Sequence, residues 1–159
     1  MKIRKATAND KDKLLPLVTA LHVEHKNLIL SQEAQRFEEY RNTGKEMKNS
    51  AFENISNPNF ITFVVEKDAK FIGYICGQIK EKPRKVYNRE GYIEDLFVVD
   101  AHRRRGLAKK LFAALLTEFQ LQGCTHIATD AYVTNYEALR IYKRWGFHER
   151  VVTFYKTLK

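Results

Sequence analysis

A chain of 159 residues suits one domain built around one hydrophobic core. Its 44% apolar and 30% charged residues are the proportions of a soluble globular protein, and its net charge of +9 favours anionic partners: nucleic acid, anionic lipid or a phosphorylated small molecule. No apolar run approaches the ~20 residues that cross a bilayer, and Met1-Lys2-Ile3-Arg4-Lys5 lacks the apolar stretch of a signal peptide, so the expectation is a cytoplasmic protein with no membrane partner.

In chain order, residues 2–6 read as a short strand. Asn9 and Asp10 are suited to cap a following helix, in which Leu14, Leu17, Val18 and Leu21 recur at helical spacing. A second helix is expected between about Gln32 and Lys48, with Phe37 and Tyr40 on one face. Residues 60–66 and 71–79 are strand-like, and Lys67-Asp68-Ala69-Lys70 between them suits a hairpin turn. Gly91 to Val99 is a further β-branched and aromatic run. From Leu107 the apolar residues fall at 107, 108, 111, 112, 115, 116 and 119, an amphipathic helix ending near Gly123. Residues 124–131 return to strand, Asn135 to Trp145 is helical up to Gly146, and Val151 to Leu158 alternates like a last strand. Mixed strands and helices in this order imply an α/β fold, one sheet covered by helices. There is no internal repeat and no Gly/Ser- or Pro-rich linker, so residues 1–159 are read as a single domain. Cys76 and Cys124 read as reduced core thiols, and no CxxC pair suggests zinc.

The most informative stretch is Asp95-Leu96-Phe97-Val98-Val99-Asp100-Ala101-His102-Arg103-Arg104-Arg105-Gly106-Leu107-Ala108. A strand ends, a basic turn follows, and a long helix begins at a glycine. The first amides of a helix lack intrahelical partners and its N-terminus carries partial positive charge, so an anion such as pyrophosphate fits there. The same three arginines also suit a solvated turn or a nucleic-acid patch.

Arg103-x-x-Gly106-x-Ala108 resembles the [Gln/Arg]-x-x-Gly-x-[Gly/Ala] signature of the GNAT N-acetyltransferase superfamily. Asn135-x-x-Ala138-x-x-x-Tyr142-x-x-x-Gly146-Phe147 is similar to that family's second motif, and Ile3-Arg4-Lys5-Ala6-Thr7 with Asp10 to a common opening of its members. Asp100 stands where many members carry proline. The resemblance covers essentially the whole chain and is weakest from about His25 to Asn59, where the family varies with substrate.

The resemblance implies a twisted mixed sheet of six or seven strands with about four helices. Two central parallel strands, ending near Val99 and Ala131, splay apart to admit coenzyme A. It implies acetyl-CoA as cosubstrate and no metal. The pantetheine arm pairs with the backbone of Leu96, Phe97 and Val98; the pyrophosphate lies on the loop and helix start formed by Arg103, Arg104, Arg105, Gly106, Leu107, Ala108 and Lys109; Asn135 contacts the pantetheine side. Homodimers are common in the family.

The chemistry asks for three groups. An alkylamine of pKa ~10.4 must lose a proton before it attacks a thioester; a backbone amide near Val98 suits the oxyanion; the departing thiolate benefits from an acid. Tyr142 occupies the family tyrosine position and is the candidate acid, although its helix position also suits packing with Ala138 and Trp145. Glu94 is the candidate base, in a Glu94-Asp95 stretch that resembles polyamine-acetylating members. Alternation sends Glu94 and Asp95 to opposite faces, so Asp95 is the second candidate. His22 and His25 share a helix face and, with Tyr132, are suited to line the acceptor pocket. The expected function is therefore acetyl transfer to a primary amine of a small molecule or peptide. A noncatalytic acyl-CoA-binding module has no need of Tyr142 and Glu94. A nucleic-acid partner is disfavoured by the apolar helix after Gly106 and by the second motif.

Overall fold

The computed structural model describes residues 1–29 and 31–158. Strand β1 (Lys2–Lys5) leads through a 3-10 turn, Ala8–Asp10, into helix α1 (Lys11–Leu28). A single turn α2 (Gln32–Gln35) and a second 3-10 turn, Arg36–Glu38, precede helix α3 (Thr43–Ser56). Strands β2 (Phe60–Lys67), β3 (Lys70–Glu81) and β4 (Arg89–Val98) form a meander, joined to helix α4 (Leu107–Leu121), strand β5 (His126–Thr129) and helix α5 (Tyr136–Arg144). The sheet order is β1-β2-β3-β4-β5; the first three pairings are antiparallel and β4–β5 is parallel.

Helices cover both faces. Leu14, Leu17, Val18 and Leu21 of α1 and Met47 and Ala51 of α3 pack on Val64, Tyr74, Cys76 and Phe97. Leu107, Leu111, Leu115 and Phe119 of α4 pack on Ile61, Val65, Ile75 and Ile93 of the other face. The four-residue recurrence in α4 sets one stripe against the sheet, and Leu111 and Leu115 are wholly buried. Phe119 is flush with two glycines: a Cβ on Gly77 or on Gly91 would come within 2.5 Å of its ring. The absent side chains let the helix approach the strands at this point.

The mixed α/β architecture is the one expected, with five strands among the described residues rather than six or seven. Residues 151–158 form no strand; Val151, Val152, Phe154, Tyr155 and Leu158 are exposed. Alternation makes a chain able to be a strand, but a ladder needs a partner, and this tail pairs with none among the described residues. The expected second helix is displaced. It starts at Thr43, where Asn42 accepts a hydrogen bond from the Lys45 amide at 3.0 Å, and its buried positions are Met47, Ala51 and Asn54. Phe37 and Tyr40, read as its apolar face, are about half exposed at 51% and 49%. The β2–β3 turn is as expected, with Asp68 and Ala69 both left-handed, as a two-residue hairpin requires.

Asp10 does not cap α1. Its carboxylate turns back and accepts from both Arg4 terminal nitrogens (2.8 and 2.9 Å), the Thr7 amide (2.8 Å) and the Thr7 hydroxyl (2.9 Å). The Arg4 guanidinium, aided by Thr7, holds this buried carboxyl well below the usual carboxylate range against the opposing effect of burial. A depressed folded-state pKa stabilises the fold above the unfolded-state value, ~3.9, and the contribution is lost as pH falls below it. Asp10→Asn is expected to cost about 2 kcal/mol at pH 7 and progressively less below about pH 4. Urea melts at the two pH values test this; a penalty independent of pH contradicts it.

Candidate active site

β4 is paired on both sides only in its first half. The parallel register runs from Glu90 opposite His126 to Ile93 opposite Thr129 and stops, while β4 continues to Val98. At the joined end the buried Glu90 is held by Lys82 Nζ at 2.6 Å and His126 Nε2 at 2.9 Å. Beyond Thr129 the strands splay, as expected. The Val99 amide donates to Ile72 of β3 at 3.0 Å, so by the two-residue alternation of an antiparallel ladder the amides of Leu96 and Val98 face the gap.

The gap opens into a cleft of about 1050 Å³, lined by Leu96, Phe97 and Val98, by His102 to Arg104 and Gly106 to Lys109, and by one side of α5 including Asn135, Arg140 and Tyr142. Gly106 has φ +74°, and Arg104, at φ +60°, is also left-handed, so the loop turns sharply into α4. The first intrahelical bond runs from the Lys110 amide to the Gly106 carbonyl at 3.1 Å. The amides of Leu107, Ala108 and Lys109 therefore have no carbonyl behind them. A Cβ on Gly106 would meet nothing within 4 Å, so the space over the helix start is open. This suits a diphosphate. His102 also lines the cleft, and its buried Nδ1 has no hydrogen-bond partner among the described residues.

The arginines of the loop differ in placement. Arg103 donates to the Val98 carbonyl at 2.8 Å and to Glu24 of α1 at 2.6 Å, and lies 3.0 Å from Asp100. It ties the loop to the end of β4 and to α1. Arg104 lines the cleft, whereas Arg105 is exposed and does not. Asn135 caps α5, its side-chain oxygen accepting from the Ala138 amide at 3.1 Å. It also lines the cleft.

Tyr142 packs edge-on to Trp145 and beside Phe147, with ring centroids at 6.0 and 5.4 Å. Burial raises its pKa, and Asp130 and Asp95 add to the rise while Thr129 opposes it. The phenol thus keeps its proton at neutral pH.

The register places Asp95 opposite Cys76 and Ile93 opposite Gly77, so Glu94 is the extra residue of a β-bulge. The bulge resets the alternation. Glu94 is exposed, forms an ion pair with Lys80 at 3.0 Å, and lines neither the cleft nor a second, smaller cavity. Asp95 lines that smaller cavity, about 130 Å³, together with His22, His25, Glu38, Tyr40 and Tyr132. Its Oδ2 accepts from the Tyr74 hydroxyl at 2.9 Å and from Asn54 at 3.3 Å. Burial raises the Asp95 pKa, and Tyr74, His25 and Asn54 hold it back in part. His22 lies against Tyr40 and His25 against Tyr132, each with ring centroids at 5.4 Å. Sequence reasoning did not reach Tyr74, Asn54 or Glu38. They meet Asp95 or its cavity through strand pairing and helix docking, for which no local pattern exists.

The chain is similar to known proteins in sequence and in fold. An aminoglycoside N(6')-acetyltransferase type 1 from Serratia marcescens is 33% identical over 69 residues, 42% of this chain and 47% of that one. The chain spans less than half the length of the curated relatives it matches. Among solved structures, a mutant protein from Bacillus halodurans has a TM-score of 0.81 at 21% identity, covering 100% of both chains. Aminoglycoside N-acetyltransferase AAC(6')-Iy in complex with CoA has a TM-score of 0.76 at 21% identity, covering 98% of this chain and 93% of that one. At these identities the likeness is one of fold. Residues 27–147, which include both motifs, match the acetyltransferase (GNAT) family, and the chain belongs to that family.

Proposed function

We propose that this protein is an acetyl-CoA-dependent N-acetyltransferase acting on a primary amine of a small molecule or peptide. The observation that carries the reading is a single cleft in which the unpaired edge of β4, the free amides at the start of α4 and the Tyr142 side chain converge. The name of the Serratia relative, an aminoglycoside acetyltransferase, supports a small-molecule acceptor.

The cosubstrate supplies an acetyl thioester. The edge of Leu96 to Val98 aligns an extended amide-bearing arm as an added strand does. Leu107 to Lys109 and Arg104 hold the diphosphate. The Val98 amide donates to the carbonyl oxygen as charge develops there. The acceptor ammonium gives one proton to the base and, as the neutral amine, forms the new C–N bond. The nitrogen then sheds its second proton to solvent, and the C–S bond breaks as Tyr142 protonates the sulfur; solvent takes the proton from the base and returns one to Tyr142. Sequence reasoning nominated Glu94 as base. We assign the role to Asp95 instead, because Asp95 precedes the cleft-lining Leu96, lines a cavity with His22 and His25, and acts electrostatically on Tyr142, whereas Glu94 sits on the bulge with Lys80. A carboxyl raised above its usual range is also the better proton acceptor.

Thiol release from acetyl-CoA with a panel of aminoglycosides, polyamines, amino acids and peptide N-termini tests the activity. Coenzyme binding without turnover on any amine would instead favour a noncatalytic module. With an accepted amine in hand, Tyr142→Phe is expected to lower kcat at least about tenfold, with little change in acetyl-CoA affinity or melting temperature. An unchanged kcat removes Tyr142 from the proton transfer.

A further inference from the structure

We propose that one face of α5, the row Tyr136, Arg140 and Arg144, recognises the 3′-phosphorylated adenosine end of coenzyme A and makes the enzyme selective for the 3′-phosphate. The inference rests on the coenzyme reading above and extends it to a part of the ligand that the phosphate loop does not reach. The three residues are four apart, so they stack along one helix face. All three line the cleft, and all three also border a shallower hollow of about 450 Å³ on the outer side of α5.

Five Arg and Lys side chains line the cleft: Arg103, Arg104, Lys109, Arg140 and Arg144. Only Arg103 has a carboxylate within ion-pair distance among the described residues. On α5, Lys143 is paired with Glu149 at 2.9 Å, whereas Arg140 and Arg144, on the cleft side, have no carboxylate within ion-pair distance among the described residues. The acids that line the cleft are Glu24, engaged by Arg103, and Glu137, exposed on the first turn of α5.

The α4 amides with Arg104 and Lys109 match a diphosphate. Two further guanidiniums remain, and a phosphate monoester carries about −1.5 to −2 charge at neutral pH, with oxygens that match the planar fork of arginine. Tyr136, 76% exposed one turn before Arg140, offers a flat aromatic face of the kind on which purines stack. A ring and two guanidiniums in one row thus match a purine with a phosphate on its ribose.

Calorimetric titration with coenzyme A and with 3′-dephospho-coenzyme A, without an acceptor, tests this independently of turnover. The wild-type protein is expected to bind coenzyme A about 10–100-fold tighter. In the Arg140→Gln/Arg144→Gln protein that ratio should fall to about one, because affinity for coenzyme A falls to that for the dephospho form. Tyr136→Ala should weaken both ligands and keep the ratio. Melting curves establish that each variant folds, and the single variants Arg140→Gln and Arg144→Gln provide the comparison if the double variant does not. A wild-type ratio near one, or a ratio that survives in folded arginine variants, overturns the proposal while leaving the acetyltransferase reading intact. Failure of folded wild-type protein to bind either ligand overturns both.

Discussion

Asp95→Asn is expected to lower the rate of acetyl transfer by about 10²–10⁴-fold at neutral pH. The substitution keeps the shape and leaves an oxygen for the Tyr74 hydroxyl and Asn54, which now donate to Asp95 at 2.9 and 3.3 Å, so the cavity wall should survive. What is lost is the capacity to take a proton. If Asp95 is the base, the wild-type carboxyl must be ionised to act, so the rate should rise with pH through a value above that of a free carboxyl, the direction set by its burial. In the variant this limb should vanish, and the residual rate should climb only as the amine deprotonates, towards pH ~10. Glu94→Gln is the comparison. Glu94 is exposed and already engaged by Lys80 at 3.0 Å, so its loss should change the rate by no more than about threefold, as for an exposed pair. Initial rates from pH 5 to 10 for both variants decide between them. A large loss in Glu94→Gln beside a small one in Asp95→Asn would return the base to Glu94.

Gly106→Glu is expected to abolish coenzyme binding. Three effects coincide: a side chain at φ +74° is strained by about 1–2 kcal/mol, the carboxylate repels phosphate, and its bulk fills the open space over the α4 amides. Saturating the wild-type protein at a hundredfold excess over the dissociation constant should stabilise it by ~2.7 kcal/mol, or about 5–10 °C in melting temperature, and the variant should show no shift. Gly106→Ala separates the contributions. Its Cβ meets nothing within 4 Å, so it should lower the melting temperature of the free protein and keep most of the ligand-induced shift. A full shift in Gly106→Glu would place the phosphates elsewhere.

These two residues also show how legible the site was. The place of Gly106 could be found in the sequence because it is local: a strand, a basic turn and an apolar stripe at helical spacing lie within a few dozen residues, and short-range geometry fixes what they become. The place of Tyr142 was readable for the same reason, and its family motif named it. The surroundings of Asp95 were not legible because they are assembled at long range. The bulge that takes Glu94 out of register is set by pairing with Cys76 and Gly77, and alternation read along one strand cannot foresee an inserted residue. Arg103 looked like a free phosphate ligand; its engagement by Glu24 depends on how α1 docks over the end of β4. The segment from Gln32 to Ser56 was misdivided because Phe37 and Tyr40 carry helical spacing without being buried, whereas the Asn42 cap marks the true start.

The contact of Phe119 with Gly77 and Gly91 has a mechanical consequence. Phe119 lies twelve residues beyond Leu107, roughly 18 Å along the helix axis. At that end α4 is seated in a notch cut into β3 and β4, and at the other it presents the amides of Leu107 to Lys109. A helix is stiff along its length, so the notch acts as an end stop that sets how far the amides project past the tip of β4. The spacing between the proposed phosphate site and the edge of Leu96 to Val98 is therefore gauged from the far end of α4. A single methyl group added at Gly91 would push the strut along or away from the sheet and so detune the proposed coenzyme site without touching any residue that lines it.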